Sequence, residues 1–243
     1  MKVLILWADV QSANLGVRVV AEGTAQLVRC AFGPDVSIDF QDFRGRSTGI
    51  RVTIPRIIGL QFGLGRLAKL IRSASVVVDT GAGDSFSDIY GPKAVLAFIA
   101  CQSAVRRAGV PLAYGPQTIG PFRTPIRLLA ARSLKRASLI LARDTESHCV
   151  AIQMGATMPV LATDVVFALN GSVSAHQDYD VLFNVSGLLW DRNPHVDNEA
   201  YRAAVHGMIQ ALQARGRRVT LLAHVLETDN PDNDAGCVST LAQ

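Results

Sequence analysis

Val76-Val77-Val78-Asp79-Thr80-Gly81-Ala82-Gly83-Asp84-Ser85-Phe86-Ser87-Asp88 decides the fold. Three valines followed by an acid and a glycine-rich turn describe a short buried strand that ends abruptly, and a helical pattern resumes from about Gly91. Gly81 and Gly83 allow a tight turn with positive φ and let a ligand approach the main chain. Asp84 and Asp88 then fall at the carboxyl end of a strand, where open α/β sheets bind their ligands.

On either side the same alternation recurs. Upstream, Val3 to Trp7 is a continuous apolar run, the pattern of a parallel strand buried on both faces. A polar loop over residues 9–16 leads into a helix through about Ala31, which Gly33-Pro34 stops before an alternating strand over 36–40. Residues 44–56 are basic and irregular and read as a surface excursion, and a helix is expected over about 59–72. Downstream follow a helix over 91–107, a strand at 111–114, a helix over 125–136 and a strand at 138–142. Asp144 caps a helix over 145–154, and a short strand at 159–162 opens onto Thr163-Asp164. Strand, loop and helix at this spacing predict a doubly wound parallel sheet, a Rossmann-like domain over residues 1–169.

Residues 170–178 are small and polar and mark a boundary. Beyond it come a strand at 181–185, a helix over 198–214 and a strand over 219–225. A single β-α-β unit is a thin basis for an independent sheet, because a domain of that size buries only about 60% of its surface. The expectation is therefore an incomplete second Rossmann-like domain over 179–243.

Composition bounds the function. Of 243 residues 49% are apolar and 18% charged, so the chain folds into a compact body. The net charge of +4 is carried almost wholly by arginine, since the only lysines are Lys2, Lys69, Lys93 and Lys135. Arginine suits bidentate capture of carboxylate and phosphate. Cys30, Cys101, Cys149 and Cys237 are widely spaced, which argues against a disulfide framework or a zinc site, and the first three read as small buried apolar residues within helices. No run is long enough to span a bilayer and the start lacks a signal-peptide pattern, so a cytoplasmic protein is expected. Basic residues without interleaved aromatics give no case for nucleic-acid binding.

Motifs narrow the chemistry further. After the central strand the third glycine of a dinucleotide fingerprint is replaced by Phe86. Gly63-Leu64-Gly65-Arg66-Leu67-Ala68 fits G-x-G-x-x-A, but no strand precedes it and no acid follows at the required distance. There is no Walker A sequence and no paired-histidine metal motif. What remains is a set of polar loops at strand ends, at 9–16, 81–88, 115–122, 143–147 and 163–164. A doubly wound sheet gathers such loops along one edge, so Asn14, Asp84, Asp88, Gln117, Arg143 and Asp164 are expected to converge. Arg143 ends a buried strand beside a helix N-terminus and is the candidate anion site. His148 and His224 are weaker candidates.

Asn14-Leu15-Gly16, the glycine-rich stretch at 81–88, Pro116-Gln117-Thr118-Ile119-Gly120-Pro121, Arg143-Asp144-Thr145-Glu146-Ser147, Thr163-Asp164 and Asn184-Val185-Ser186-Gly187 occur in that order. The ordered set resembles the polysaccharide pyruvyl transferases. The resemblance implies a GT-B-like pair of Rossmann-like domains with the active site in a cleft between them. It also implies transfer of pyruvate from phosphoenolpyruvate to hydroxyls of a glycan or its lipid-linked precursor, giving a ketal without a cofactor or metal. A lipid-linked acceptor would bring the protein to the inner face of the membrane. Under this reading Asp84 and Asp88 are the catalytic candidates, and Asn14, Gly16, Gly83, Ser85, Gln117, Arg143, Asp164 and His224 the substrate-binding ones.

One departure shapes the expectation. Members of the family usually continue further, with a later Arg-x-His-type motif that nothing here matches, so a truncated chain with little transferase activity is expected. Two alternatives stand beside the transferase. One is a nucleotide-sugar glycosyltransferase on the same architecture, and the other is a non-catalytic glycan-binding remnant.

Overall fold

The computed structural model describes residues 1–84, 86–89, 91–171, 179–191, 193, 196–226 and 233–242. The chain forms two units, one of residues 1–11 and 17–170, the other of residues 12–16 and 171–243.

The larger unit is an α/β fold around a six-stranded, all-parallel sheet. Its strands are β1 (Lys2–Leu6), β2 (Ser37–Gln41), β3 (Val76–Asp79), β4 (Leu112–Gln117), β5 (Leu139–Ala142) and β6 (Val160–Leu161), in the order β2-β1-β3-β4-β5-β6. The chain steps outward from β1 to β2, then returns past β1 and continues the other way. The carboxyl ends of β1 and β3 therefore flank the point where the winding direction changes, the place where doubly wound sheets form a crevice. The expected α/β doubly wound fold is thus present, with the strand order of the flavodoxin-like rather than the dinucleotide-binding type.

Crossover handedness explains how the helices distribute. Parallel crossovers are right-handed, so the one connection that runs opposite to the rest puts its helix on the opposite face. That helix is α1 (Leu15–Phe32), whose Ala21, Ala25 and Val28 pack on Val3, Ile5 and Val78. The other face carries α2 (Ile54–Gln61), α3 (Gly65–Ser73), α4 (Pro92–Arg107), α5 (Ile126–Leu134) and α6 (Thr145–Gln153). Their buried residues, among them Leu60, Ile71, Phe98, Leu134 and Ala151, meet Leu4, Leu6, Val77, Tyr114 and Ile140. Val3 and Ile5 face one layer while Leu4 and Leu6 face the other, the period of two that a strand imposes.

Local expectations hold less uniformly. The helix expected over 59–72 is two helices broken at Phe62-Gly63-Leu64, because Gly63 and Gly65 both take positive φ there. The stretch read as irregular through residue 56 already contains the start of α2, with Pro55 in its first turn, where a missing N–H does no harm. Cys101 is buried as expected, but Cys30 and Cys149 are exposed, lying on the outer faces of α1 and α6.

The smaller unit has β7 (Val181–Asn184) paired in parallel with β8 (Val219–Leu222), and helices α7 (Gly187–Trp190), α8 (Asn198–Ala214) and α9 (Asp234–Leu241). Val185, Trp190, Val205 and Cys237 form its core. Asp197 caps α8 by accepting from Glu199 N–H and Ala200 N–H. The strand expected to reach Val225 ends at Leu222, and α9 lies in a stretch for which no element was expected. Residues 172–178, most of the expected boundary, lie outside the described residues. No helix among the described residues is long and apolar enough to cross a membrane.

Candidate active site

In the larger unit the polar residues singled out from sequence gather at the carboxyl edge of the sheet, on loops that are laced together. Gly83 O accepts from Thr118 N–H at 3.0 Å, and Phe86 O accepts from Gly120 N–H at 2.9 Å. Ser87 Oγ and Asp88 N–H both donate to Pro121 O, at 3.0 and 3.3 Å. One strand over, Arg143 N–H donates to Gln117 O at 3.2 Å. The loops after β3, β4 and β5 therefore form one continuous rim. Asp88 holds it together, since its carboxylate accepts from Arg123 N–H at 2.6 Å. Asp84 lies at the exposed crest of the glycine turn.

Arg143 places a cation on this rim. Its guanidinium stands 3.4 Å from Asp164 and 3.8 Å from Asp144, with about 30% of the side chain exposed. Both pairs are long, and ion pairs this open to water are weak, worth at most about 1 kcal/mol. An arriving carboxylate or phosphate can displace them. Asp144 is committed elsewhere: it caps α6 by accepting from Ser147 N–H at 2.7 Å. Asp164 also accepts from Val166 N–H at 3.0 Å. His148 is likewise engaged, with Nε2 2.9 Å from Pro159 O.

Gln117 occupies a different level. It is fully buried, and neither end of its amide has a hydrogen-bond partner among the described residues. The amide lies directly beneath Gly81, where a Cβ would stand 1.9 Å from Gln117 Oε1. Gly81 takes φ +53°, so glycine is required there both by conformation and by space. Gln117 thus supports the turn from below.

Beneath the same turn is a carboxylate that the sequence reading used only as a strand end. Asp79 is fully buried and accepts from Gly81 N–H at 2.8 Å, Gln102 Nε2 at 2.8 Å and Trp7 Nε1 at 3.2 Å. Burial raises its pKa from 3.8 to about 6 despite these donors, each of which favours the ionised form. A relay continues through the core: Ser133 Oγ donates to Gln102 Oε1 at 2.7 Å and accepts from Tyr114 OH at 2.9 Å. Asp9, at the end of β1, is a second acid that sequence alone did not single out. It is buried and paired with Arg46 at 3.0 Å, and it accepts from Gln11 N–H. The signal for both was the position of an acid immediately after an apolar strand.

Asn14, Gly16 and His224 assemble separately, within the smaller unit. Gly16 N–H donates to Asn14 Oδ1 at 2.9 Å, Leu15 N–H donates to His224 O at 3.3 Å, and Asn14 bridges to Val225. His224 Nε2 lies 3.1 Å from where a Cβ on Gly16 would stand, so glycine leaves the imidazole its place. Asp234 organises this corner. It is buried and accepts from Gly187, His224 and Val225 N–H groups at 2.7, 2.9 and 2.8 Å. Of the predicted residues, Asp84, Asp88, Gly83, Gln117, Arg143 and Asp164 therefore share one rim, and Asn14, Gly16 and His224 share another locus. Ser85 lies outside the described residues. No cluster of three potential metal ligands occurs among the described residues.

Comparison with curated proteins and with solved structures returned no match to either. A family model described as polysaccharide pyruvyl transferase matches residues 14–236, a span that takes in both loci. The chain belongs to the polysaccharide pyruvyl transferase family.

Proposed function

We propose that the chain transfers the pyruvyl group of phosphoenolpyruvate to two hydroxyls of a saccharide, forming a ketal. The observation that supports this most is Arg143. It is a partly exposed guanidinium at the carboxyl rim of a doubly wound sheet, held by long pairs that an anionic donor can replace. Asp84, the exposed carboxylate of the neighbouring glycine turn, is the candidate base.

The reaction balances without a metal or redox cofactor. A proton adds to the methylene carbon of the donor, leaving positive charge at the carbon that bears carboxylate and phosphate. A sugar hydroxyl attacks that carbon and gives up its proton. The C–O bond to phosphate breaks, and the second hydroxyl closes the ring as its proton is lost. One of the two hydroxyl protons replaces the one placed on the methyl group, and the other leaves with phosphate. Arg143 offsets the donor's negative charge, and Asp84 removes a hydroxyl proton. Asp88 and Gln117 hold the loops that carry these groups. The acceptor is a polysaccharide or its lipid-linked precursor.

The test is donor selectivity followed by product analysis. Phosphoenolpyruvate raises the melting temperature and uridine or guanosine diphosphate sugars do not. With a saccharide acceptor, phosphate is released as a ketal appears by mass spectrometry. Stabilisation by nucleotide sugars instead would make the protein a glycosyltransferase.

A further inference from the structure

The segment from Phe43 to Val78 contains seven cations and no acid, in a chain whose overall charge is only +4. It folds as the loop before α2, α2 itself, and α3. Within it α3 is sharply two-sided, burying Leu67, Ala68 and Ile71 while Arg66, Lys69 and Arg72 face outward. None of Arg51, Arg56, Arg66, Lys69 or Arg72 enters a salt bridge among the described residues. Three of their guanidinium groups donate to backbone carbonyls instead, Arg56 to Arg51, Arg66 to Thr48 and Arg72 to Gly63. These bonds fix the arginines in place and leave their charge uncompensated.

Large apolar side chains share this surface: Leu64 lines a pocket with Arg56 and Arg66, and Phe62 lines one with Arg72. Ile54, Ile58 and Phe62 follow one another at a spacing of four, one helical face, and are 71%, 55% and 75% exposed. Leu64 adds a fourth at 64%. Beside the stripe, Ile57, Ile58, Val52 and Leu96 line a groove of about 490 Å³ with Lys93 at its edge. A helix face of this kind is not explained by the protein's own core, which α2 enters with Leu60. Exposed apolar side chains with cations beside them match the boundary between anionic headgroups and acyl chains. A nucleic acid would satisfy the cations but leave the isoleucines and Phe62 in water.

We propose that α2 and α3 form a docking surface for an anionic lipid bilayer. Ile54, Ile58, Phe62 and Leu64 enter the interface, and Arg51, Arg56, Arg66, Lys69 and Arg72 contact the headgroups. This does not depend on the transferase reading, since it uses only the charge and exposure of a surface distinct from the Arg143 rim.

The test is co-sedimentation of the full chain with vesicles of phosphatidylcholine alone or mixed with phosphatidylglycerol, at low and high salt. The expected result is binding to the anionic vesicles only, weakened by salt. Ile58→Glu/Phe62→Glu is expected to lower the partition coefficient more than tenfold, since loss of one buried aliphatic is worth about tenfold. Arg66→Glu/Lys69→Glu, confined to a solvent face and therefore compatible with folding, is expected to do the same and to flatten the salt dependence. Phosphoenolpyruvate binding, measured on the same variants, is expected to be unchanged. Failure of the wild type to bind anionic vesicles overturns the proposal. So does equal binding by wild type and both variants, or displacement of bound vesicles by RNA, which would make the patch a polyanion site.

Discussion

Replacing Gly81 by alanine tests the packing beneath the rim. The new methyl group would stand 1.9 Å from Gln117 Oε1 and 3.0 Å from Phe86 Cβ. Neither neighbour has room to retreat, because Gln117 and Phe86 are both fully buried. Overpacking of this kind costs about 1–3 kcal/mol. The positive φ of +53° adds a left-handed penalty of about 1–2 kcal/mol for any residue with a Cβ. Gly81→Ala should therefore destabilise the protein by about 2–5 kcal/mol in urea unfolding. The two contributions separate in a double-mutant cycle with Gln117→Ala. Truncating Gln117 removes the 1.9 Å clash, by far the closer of the two contacts, and leaves chiefly the conformational penalty, so Gly81→Ala should cost only about 1–2 kcal/mol in that background. If the cost of Gly81→Ala is the same with and without Gln117, within about 0.5 kcal/mol, the glutamine does not stand beneath the turn and the reasoning fails.

Asp79 predicts a pH dependence with a definite sign. Its folded pKa of about 6 lies above the unfolded value of 3.8, so the folded state holds the proton longer. Stability therefore falls as pH rises from 3.8 to about 6, by about 3 kcal/mol in total at 1.36 kcal/mol per pH unit. Asp79→Asn should remove that slope from urea midpoints measured across the window, and an unchanged slope would contradict the assignment. Asp234→Ala strips three backbone N–H groups of their acceptor and should destabilise the smaller unit by about 3 kcal/mol or more, read as faster proteolysis within residues 171–243. Among the thiols, Cys30 and Cys149 should react with a disulfide reagent in the native state. Cys101 and Cys237, buried and with thiol pKa values pushed up by burial, should react only on unfolding, and four fast thiols would refute this.

The parallel sheet was legible because buried strands write themselves as apolar runs: Val3 to Trp7 and Val76 to Val78 needed no other signal. The loops at their carboxyl ends followed from topology, and the rim of Asp84, Arg143 and Asp164 could be named in advance for that reason. Depth and pairing were not legible. Nothing in the local sequence of Gln117 distinguishes a side chain reaching outward from one sealed under Gly81, because burial depends on the loop that crosses above it. Asn14 read as part of a loop of the first sheet, yet its partners are Gly16 and Val225 in the smaller unit. An antiparallel bridge between residues so far apart in the chain leaves no periodic trace. The helix over 234–241 was missed because its one cap, Asn233, follows a run of turn-forming residues that reads as loop. The exposed stripe at Ile54, Ile58 and Phe62 was not legible because it straddles the stretch read as an irregular excursion and the helix expected from about 59, so its helical spacing went unread.

Titration of phosphoenolpyruvate into the wild-type protein and into Arg143→Ala, followed by calorimetry, tests the role of the rim most directly. A charge-assisted contact to the donor is worth about 1.5–3 kcal/mol, so the variant should bind about ten- to a hundredfold more weakly while unfolding at the same urea concentration. Absence of binding to the wild type, or equal affinity in the two proteins, would contradict the account.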